Sequence, residues 1–312
     1  MTLAIIYGGE GYEHSVSMLG FQHLFPVLEK NYRVLPIFID TCGEFWLENK
    51  RVFPTYGGFA DGDGRHYAVD CALPLLHGDM GEDGVVQSAL TLGKIPYIGC
   101  EGTVGALCRD KFTVKAVANS LGIPTLPCIL IRRGYPLPEI DLPCFIKPSG
   151  LGSSIGASPA RDEAELKIAL ENAFRYADRV IAEPYLEVKR ELECGYFSAK
   201  CKELFTNAGE ILSQGGFYDY DSKYGGGIKT DTLADISPEI NGKIKDYSAR
   251  LVAALGVRQI SRIDFFLSGE NIYFNEINTM PGFTEESLYP RMLSAMGIDL
   301  SEMLTMLIED TV

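Results

Sequence analysis

The chain has 312 residues, 46% of them hydrophobic and 22% charged, a mixture that can bury a sizeable core without staples. Its 28 Lys and Arg against 42 Asp and Glu leave a formal charge of −14, which argues against a general nucleic-acid or anionic-membrane binder, because both need a basic surface. An anionic ligand is still admissible, since a few convergent lysines reverse the field locally.

Residues 3–7 form an apolar run ending in Gly8-Gly9, followed by a helical stretch over 15–30 and a second strand over 34–39. This β-α-β opening predicts a parallel sheet with ligands near the C-terminal ends of its strands. The first residues lack a basic n-region and read as a strand, not a signal peptide. A strand over 72–76 leads into His77-Gly78-Asp79-Met80-Gly81-Glu82-Asp83-Gly84, and a helix over 85–92 and a strand over 95–98 follow. Next come a helix over 111–121, stopped by Gly122, and strands over 128–131 and 144–147 around a Pro-rich turn. A Gly/Ser loop spans 150–156, a helix 162–176 and a strand 180–186. A third region opens with a strand over 191–197 and holds a polar stretch, 213–231, rich in Gly, Tyr and Asp. A loop that long in a compact domain is a functional lid or is disordered. No run approaches the roughly 18 apolar residues of a membrane span. The eight cysteines never fall as C-x-x-C, and several sit in apolar runs, so reduced core thiols in a cytoplasmic protein are expected, not a zinc site.

The most informative segment runs from Gln259 to Asn278. Two apolar-rich runs, 259–267 and 272–278, flank the turn composition Ser268-Gly269-Glu270-Asn271 and predict a β-hairpin. Alternation puts Arg262 and Asp264 on one face and Glu276 and Asn278 together on one face. A loop centred on Glu270 sets Asp264 across from Glu276 and Arg262 across from Asn278. Two carboxylates and an amide oxygen suit Mg²⁺, which keeps several waters and shares a nucleotide's phosphates. The competing reading is a solvated face with one Arg–Asp pair, worth about 0–1 kcal/mol.

Lys147 leaves an apolar strand and enters Pro148-Ser149-Gly150-Leu151-Gly152-Ser153-Ser154-Ile155-Gly156. A bare ammonium there calls for an anion, and the glycines let backbone N–H groups approach it. No P-loop motif exists, and Lys111 is a second candidate phosphate ligand, though alone it reads as a surface helix residue. Gly152-Ser153-Ser154-Ile155-Gly156 also fits the nucleophile elbow of α/β-hydrolases, which requires a histidine downstream of the serine. The histidines are 14, 23, 66 and 77, all upstream, and this excludes the hydrolase.

These pieces, in this order, resemble the ATP-grasp superfamily and specifically the D-alanine–D-alanine ligases. The resemblance runs nearly end to end: Gly8-Gly9 with Glu13-His14-Ser15-Val16-Ser17, Leu76-His77-Gly78-x-x-Gly81-Glu82-Asp83-Gly84, Asp110-Lys111, Lys147-Pro148 with Gly152-Ser153-Ser154-x-Gly156, and Glu183-x-x-Leu186 with Arg190-Glu191. It continues through Tyr218-Asp219-Tyr220, Lys223-Tyr224, Arg262-x-Asp264 and Asn275-Glu276-x-Asn278-Thr279-x-Pro281-Gly282-Phe283-Thr284 to Ser287-Leu288-Tyr289-Pro290.

The resemblance implies an α/β (α+β ATP-grasp) fold of three domains, where length alone suggests about two. They fall near 1–99, with a parallel Rossmann-like sheet, 100–186, and 187–312 with the lid 213–231; ATP is held between the central and C-terminal ones. Carried over by motif, Lys111 and Lys147 bind the phosphates, Glu183 and Leu186 the adenine edge, and Glu191 the ribose. Ser153, Ser154, Lys223, Phe266 and Asn275 join the ATP contacts, and Asp264, Glu276 and Asn278 hold two Mg²⁺ ions, with Mn²⁺ as a substitute. One D-alanine carboxylate attacks the γ-phosphate, and a second D-alanine's amine then attacks the acyl phosphate, in peptidoglycan precursor synthesis. Glu13, hydrogen-bonded through Ser153 to Tyr224, anchors the first ammonium. Lys223 and Ser287 hold the second carboxylate, with Leu288 beside them, and Arg262 and the Gly282 N–H stabilise the oxyanion. His77 lies near the second substrate without a firm role. The lid keeps water off the acyl phosphate. A homodimer is implied, and no nucleic-acid or membrane partner. Relatives that join D-alanine to D-serine, or less readily D-lactate, are the alternative; Lys223-Tyr224 argues against lactate and Leu288 leans toward D-alanine. An idle nucleotide-binding protein is disfavoured by the intact metal and lysine positions. Three departures stand out: Ser15 in place of a second glutamate after the run Glu10-Gly11-Tyr12, Lys189 in place of a glycine before Arg190-Glu191, read as a loop change, and Gly225-Gly226-Gly227 after Tyr224, read as a mobile hinge.

Overall fold

The computed structural model describes residues 1–186, 189–212 and 229–312. Of the predicted lid, only 229–231 are among the described residues; Lys223, Tyr224 and the three glycines after them lie outside.

Three sheets organise the chain. In the first, β1 (Thr2–Gly8) places Leu3, Ala4, Ile5 and Ile6 wholly inside and pairs in parallel with β2 (Arg33–Ile39) and β7 (Cys71–Pro74). Helix α1 (His14–Leu28) joins the first two strands. Beyond β2 the sheet continues antiparallel through β3 (Phe45–Leu47), β4 (Lys50–Thr55), β5 (Gly58–Asp61) and β6 (His66–Ala68). None of these four is predicted above: they are three to six residues long and broken by Gly and Pro, so no clear alternation marks them. Residues 95–98 contribute a single parallel bridge, Ala72 to Tyr97, in place of the expected strand. At the end of β1, Gly8 adopts φ +96° with a side-chain position that would fall 2.1 Å from the Ile39 carbonyl oxygen. Only glycine fits, and the turn it makes delivers Glu13 to the start of α1.

Helices α2 (Val85–Leu92), α3 (Gly102–Arg109) and α4 (Lys111–Ser120) lead to the second sheet. Asp110 caps α4, accepting from the Thr113 N–H at 2.8 Å, so Lys111 is fixed in the first turn and Lys115 lies one turn later on the same side. The second sheet has β8 (Ile129–Arg132), β9 (Cys144–Pro148), β10 (Ser158–Ala160) and β11 (Arg179–Pro184) in the order β10-β9-β11-β8. Helix α5 (Glu163–Ala173) packs Leu166 and Leu170 into a core of its own with Ile131, Ile146 and Val180. The third sheet contains β12 (Arg190–Ala199), β13 (Lys202–Phe205), β14 (Gly209–Leu212), β15 (Lys229–Asp231), β16 (Ile260–Ser268) and β17 (Asn271–Asn278). Helices α6 (Pro238–Leu255), α7 (Leu288–Ala295) and α8 (Leu300–Thr311) accompany it. One apolar cluster joins Leu3, Ile5 and Leu73 of the first sheet to Phe197, Ile260 and Phe283 of this region, with Leu304 of α8 between them.

The predicted hairpin is present, with Asp264 opposite Glu276 and Arg262 opposite Asn278. The turn is tighter than expected: Ser268 pairs with Asn271 across Gly269-Glu270 alone. A bulge between Asp264 and Phe265 restores the register by giving β17 one extra residue, Asn275, between Phe274 and Glu276.

Candidate active site

A cleft of about 1020 Å³ lies among the three sheets, and every described residue of the predicted set lines it. Its first wall is the loop 150–156. Ser153 and Ser154 both adopt left-handed backbone, φ 51° and 58°, a costly conformation for non-glycine residues that is typical of functional loops. The Ser153 hydroxyl donates to Glu13 Oε1 at 2.6 Å, which realises the predicted Glu13–Ser153 link across two sheets. Its third member, Tyr224, lies outside the described residues.

Next to Glu13, His77 Nδ1 faces the Met280 carbonyl oxygen at 3.2 Å. Burial pushes the His77 imidazolium down against the pull of Glu13, so the ring is neutral near pH 7. The carbonyl selects the Nδ1–H tautomer and leaves Nε2 as a buried acceptor with no protein partner among the described residues. Glu82, absent from the predicted set, accepts from the Gly78 N–H at 3.1 Å and from the Met280 N–H at 3.4 Å. Burial, helped by Glu13, pushes its carboxyl up to about 7. Its position in the Gly81-Glu82-Asp83 run was the signal available.

The hairpin supplies the opposite wall. Arg262 donates to both Asp264 oxygens, Nε to Oδ1 at 2.8 Å and Nη2 to Oδ2 at 2.7 Å, and its Nε is 3.2 Å from Glu193 Oε1. Burial alone would pull the guanidinium down, but Asp264, Glu193 and Glu276 hold it well above its usual value. Glu193, on the same face of β12 as Glu191, is a second residue that motif reasoning passes over. Asn278 Nδ2 donates to Asp264 Oδ2 at 3.2 Å, and Lys111 Nζ is 2.9 Å from Glu276 Oε2 and 2.6 Å from the Leu151 carbonyl oxygen. Lys111 is therefore a buried cleft residue, not a surface one.

Lys147 Nζ lies 2.9 Å from Glu183 Oε2 and donates to Asn275 Oδ1 at 3.0 Å. The remaining Glu183 oxygen lies 2.6 Å from Lys115, so this carboxylate is turned to two lysines and only its backbone is left for an adenine edge. Burial would raise the Glu183 carboxyl, yet Lys147 and Lys115 together hold it below the usual range. Lys189 is more than a loop change: its ammonium is 3.0 Å from Glu191 Oε1 and 4.0 Å over the Phe266 ring, at the cleft wall. Ser287 precedes α7, its Oγ accepting from the Thr284 N–H at 3.0 Å, with Gly282 beside it.

Among the described residues no group of three or more His, Cys, Asp or Glu side chains closes a metal cage. Two carboxylates and an amide oxygen on one hairpin face are a hard, incomplete donor set, the kind that suits Mg²⁺ sharing its shell with phosphates and water. All eight cysteines are free thiols, and no described helix is long and apolar enough to cross a membrane.

The sequence matches the D-ala D-ala ligase C-terminus family over residues 136–309 and the D-ala D-ala ligase N-terminus family over 53–100. A D-alanine–D-alanine ligase of Thermoanaerobacter sp. (strain X514) is 32% identical over 343 residues, covering 98% of this chain and 95% of its own. Among solved structures, the VanG D-Ala:D-Ser ligase from Enterococcus faecalis is 29% identical with a TM-score of 0.88, over 100% of this chain and 99% of that one. The D-alanine–D-alanine ligase from Bacillus anthracis complexed with ATP is 26% identical with a TM-score of 0.79, over 100% and 97%. The motif order, the three-sheet cleft and this near full-length similarity agree, and the chain belongs to the D-alanine–D-alanine ligase family.

Proposed function

We propose that the protein is an ATP-dependent ligase that joins two D-alanines for peptidoglycan precursor synthesis, releasing ADP and phosphate. The observation that carries this reading is the meeting, in one cleft, of the Glu13–Ser153 pair, the Lys111 and Lys147 ammoniums, and the Asp264–Glu276–Asn278 face. Glu13 takes the ammonium of the first D-alanine, with Ser153 fixing its carboxylate. Lys111 and Lys147 take the phosphates, and Glu191 the ribose. The first carboxylate oxygen attacks the γ-phosphorus, the bond to ADP breaks, and an acyl phosphate forms. The second D-alanine's carboxylate is held at Ser287, where the N-terminus of α7 favours an anion. Its ammonium sheds one proton to solvent and the free amine attacks the acyl carbon, with the neutral His77 Nε2 placed to accept a hydrogen bond from it; phosphate leaves and takes the proton that the nitrogen gives up as the amide forms. Arg262 and the Gly282 N–H face the oxyanion of that step. Bound at Asp264, Glu276 and Asn278, two Mg²⁺ ions would neutralise the charge that gathers on the phosphates. A cytoplasmic homodimer is the setting the family resemblance implies.

The similarity to a D-Ala:D-Ser ligase keeps D-serine as the second reading for the second substrate. Phosphate release should require ATP, Mg²⁺ and D-alanine together; release with L-amino acids but not with D-alanine would remove the ligase reading. With equimolar D-alanine and D-serine, product mass should give chiefly the D-alanine homodipeptide. A predominant mixed dipeptide would shift the assignment to D-serine.

A further inference from the structure

Helix α4 carries a second lysine one turn after Lys111, and this one does not line the cleft. The Lys115 side chain is wholly buried, with its ammonium paired to Glu183 Oε1 at 2.6 Å. Glu183 is itself 3% exposed, and its other oxygen faces Lys147 at 2.9 Å. Three buried charges thus stand in a row, positive, negative, positive, and Lys147 at the end also donates to Asn275. Lys147 and Glu183 both reach the cleft wall, whereas Lys115 lies behind them.

A fully buried ammonium is expensive, and burial pulls Lys115 below its ordinary value despite Glu183. Neutralising Glu183 does not require Lys115, because Lys147 already pairs with it. What Lys115 adds is the surplus: two cations on one carboxylate leave the row with a net positive charge, and only the Lys147 end can offer it to a ligand. When Lys147 turns toward an anion, Glu183 would be left as a buried, unpaired carboxylate if nothing else held it, and that penalty is large.

We propose that Lys115 is a positioning residue for ATP, holding the Glu183 carboxylate so that the Lys147 ammonium is free to engage the phosphates. Lys115 touches no ligand and acts through Glu183 alone. The inference rests on the proposed ATP-dependent reaction and adds to it a residue that lies outside the cleft.

The test compares the parent protein with Lys115→Met and with the double variant Lys115→Met/Glu183→Gln. ATP affinity is read by titration calorimetry with Mg²⁺, and KM for ATP and for D-alanine by phosphate release. With Lys115→Met, Glu183 has Lys147 as its sole cation and holds it back. ATP affinity should fall about tenfold, the scale of coupling between residues of one salt-bridge network, and KM for D-alanine should change less than about twofold. In the double variant Lys147 faces no carboxylate at Glu183, and ATP affinity should recover by at least about threefold relative to Lys115→Met. The double variant replaces both buried charges with neutral groups of similar size, so it keeps the comparison usable if the single variant fails to fold: affinity then within about tenfold of the parent supports the inference, and no ATP binding overturns it. Unchanged ATP affinity in Lys115→Met would overturn the inference, as would a double variant no better than the single one. A parent protein that binds no ATP would overturn the proposed function itself, a separate and recognisable result.

Discussion

Glu82 shows how one carboxyl can tie pH to stability. It spans two parts of the molecule, accepting from Gly78 on the loop after the first sheet and from Met280 beyond the hairpin. Burial and Glu13 raise its pKa from 4.5 to about 7. A carboxyl raised on folding binds its proton more tightly in the native state, so its contribution is full below about 4.5 and is lost as pH rises toward 7. Glu82→Gln fixes the neutral form. Urea unfolding at pH 5 and pH 7.5 should show the parent losing on the order of 2 kcal/mol more than the variant across that interval. Parallel losses in the two proteins would show that Glu82 does not carry this dependence.

At the scale of the element, the hairpin was the most legible part of the chain, and it shows why legibility has limits. Alternation along 259–267 and 272–278 identified the face that gathers Arg262, Asp264, Glu276 and Asn278, and the pairing Asp264–Glu276 is present. In sequence that pairing follows from a loop centred on Glu270. The true turn is one residue shorter in effect, and the bulge at Asn275 makes up the difference. Bulges depend on tertiary demand, here the Lys147 ammonium that Asn275 meets from the second sheet. The same reason hides Lys115, whose partner Glu183 is 68 positions away, and the short strands β3 to β6, whose pairing is set by neighbours more than by their own pattern. Lys111, by contrast, was recoverable only through its place in a family motif. Deleting Asn275 would leave Asp264 opposite Glu276 in an unbroken ladder and remove the contact to Lys147 together with the ATP contact that the family motif implies for Asn275 itself. The variant should keep its circular dichroism spectrum and its KM for D-alanine while KM for ATP rises roughly three- to tenfold, the scale of one ordinary net hydrogen bond. An unaltered KM for ATP would mean that the bulge does not serve Lys147.

For the whole molecule, a net charge of −14 describes the outer surface and not the cleft, where Lys111, Lys147 and Arg262 meet Glu276, Glu183 and Glu193, each a carboxylate from another element. The second sheet keeps an apolar core of its own, while the first and third share one. Its ties to the others at the cleft are polar: Ser153 to Glu13, Lys147 to Asn275, and Arg109 reaching both Asp79 and the Gly150 carbonyl oxygen. A nucleotide held by Lys147 on one side and by the hairpin on the other should therefore tie the sheets together and register as global stability. At a hundredfold excess over Kd, mass action supplies about 2.7 kcal/mol. For a chain of this size that raises Tm by roughly 5 °C. Glu276→Gln separates the two proposed contributions, because it removes a carboxylate proposed to hold Mg²⁺ and leaves Lys147 in place. In scanning calorimetry its own Tm should stay within about 3 °C of the parent, since Glu276 is partly exposed and its pair with Lys111 contributes modestly. The stabilisation by ATP alone should persist in the variant, while the increment added by Mg²⁺ should vanish along with D-alanine-dependent phosphate release. An undiminished Mg²⁺ increment would move the metal away from Glu276, since no other change in the variant could preserve it.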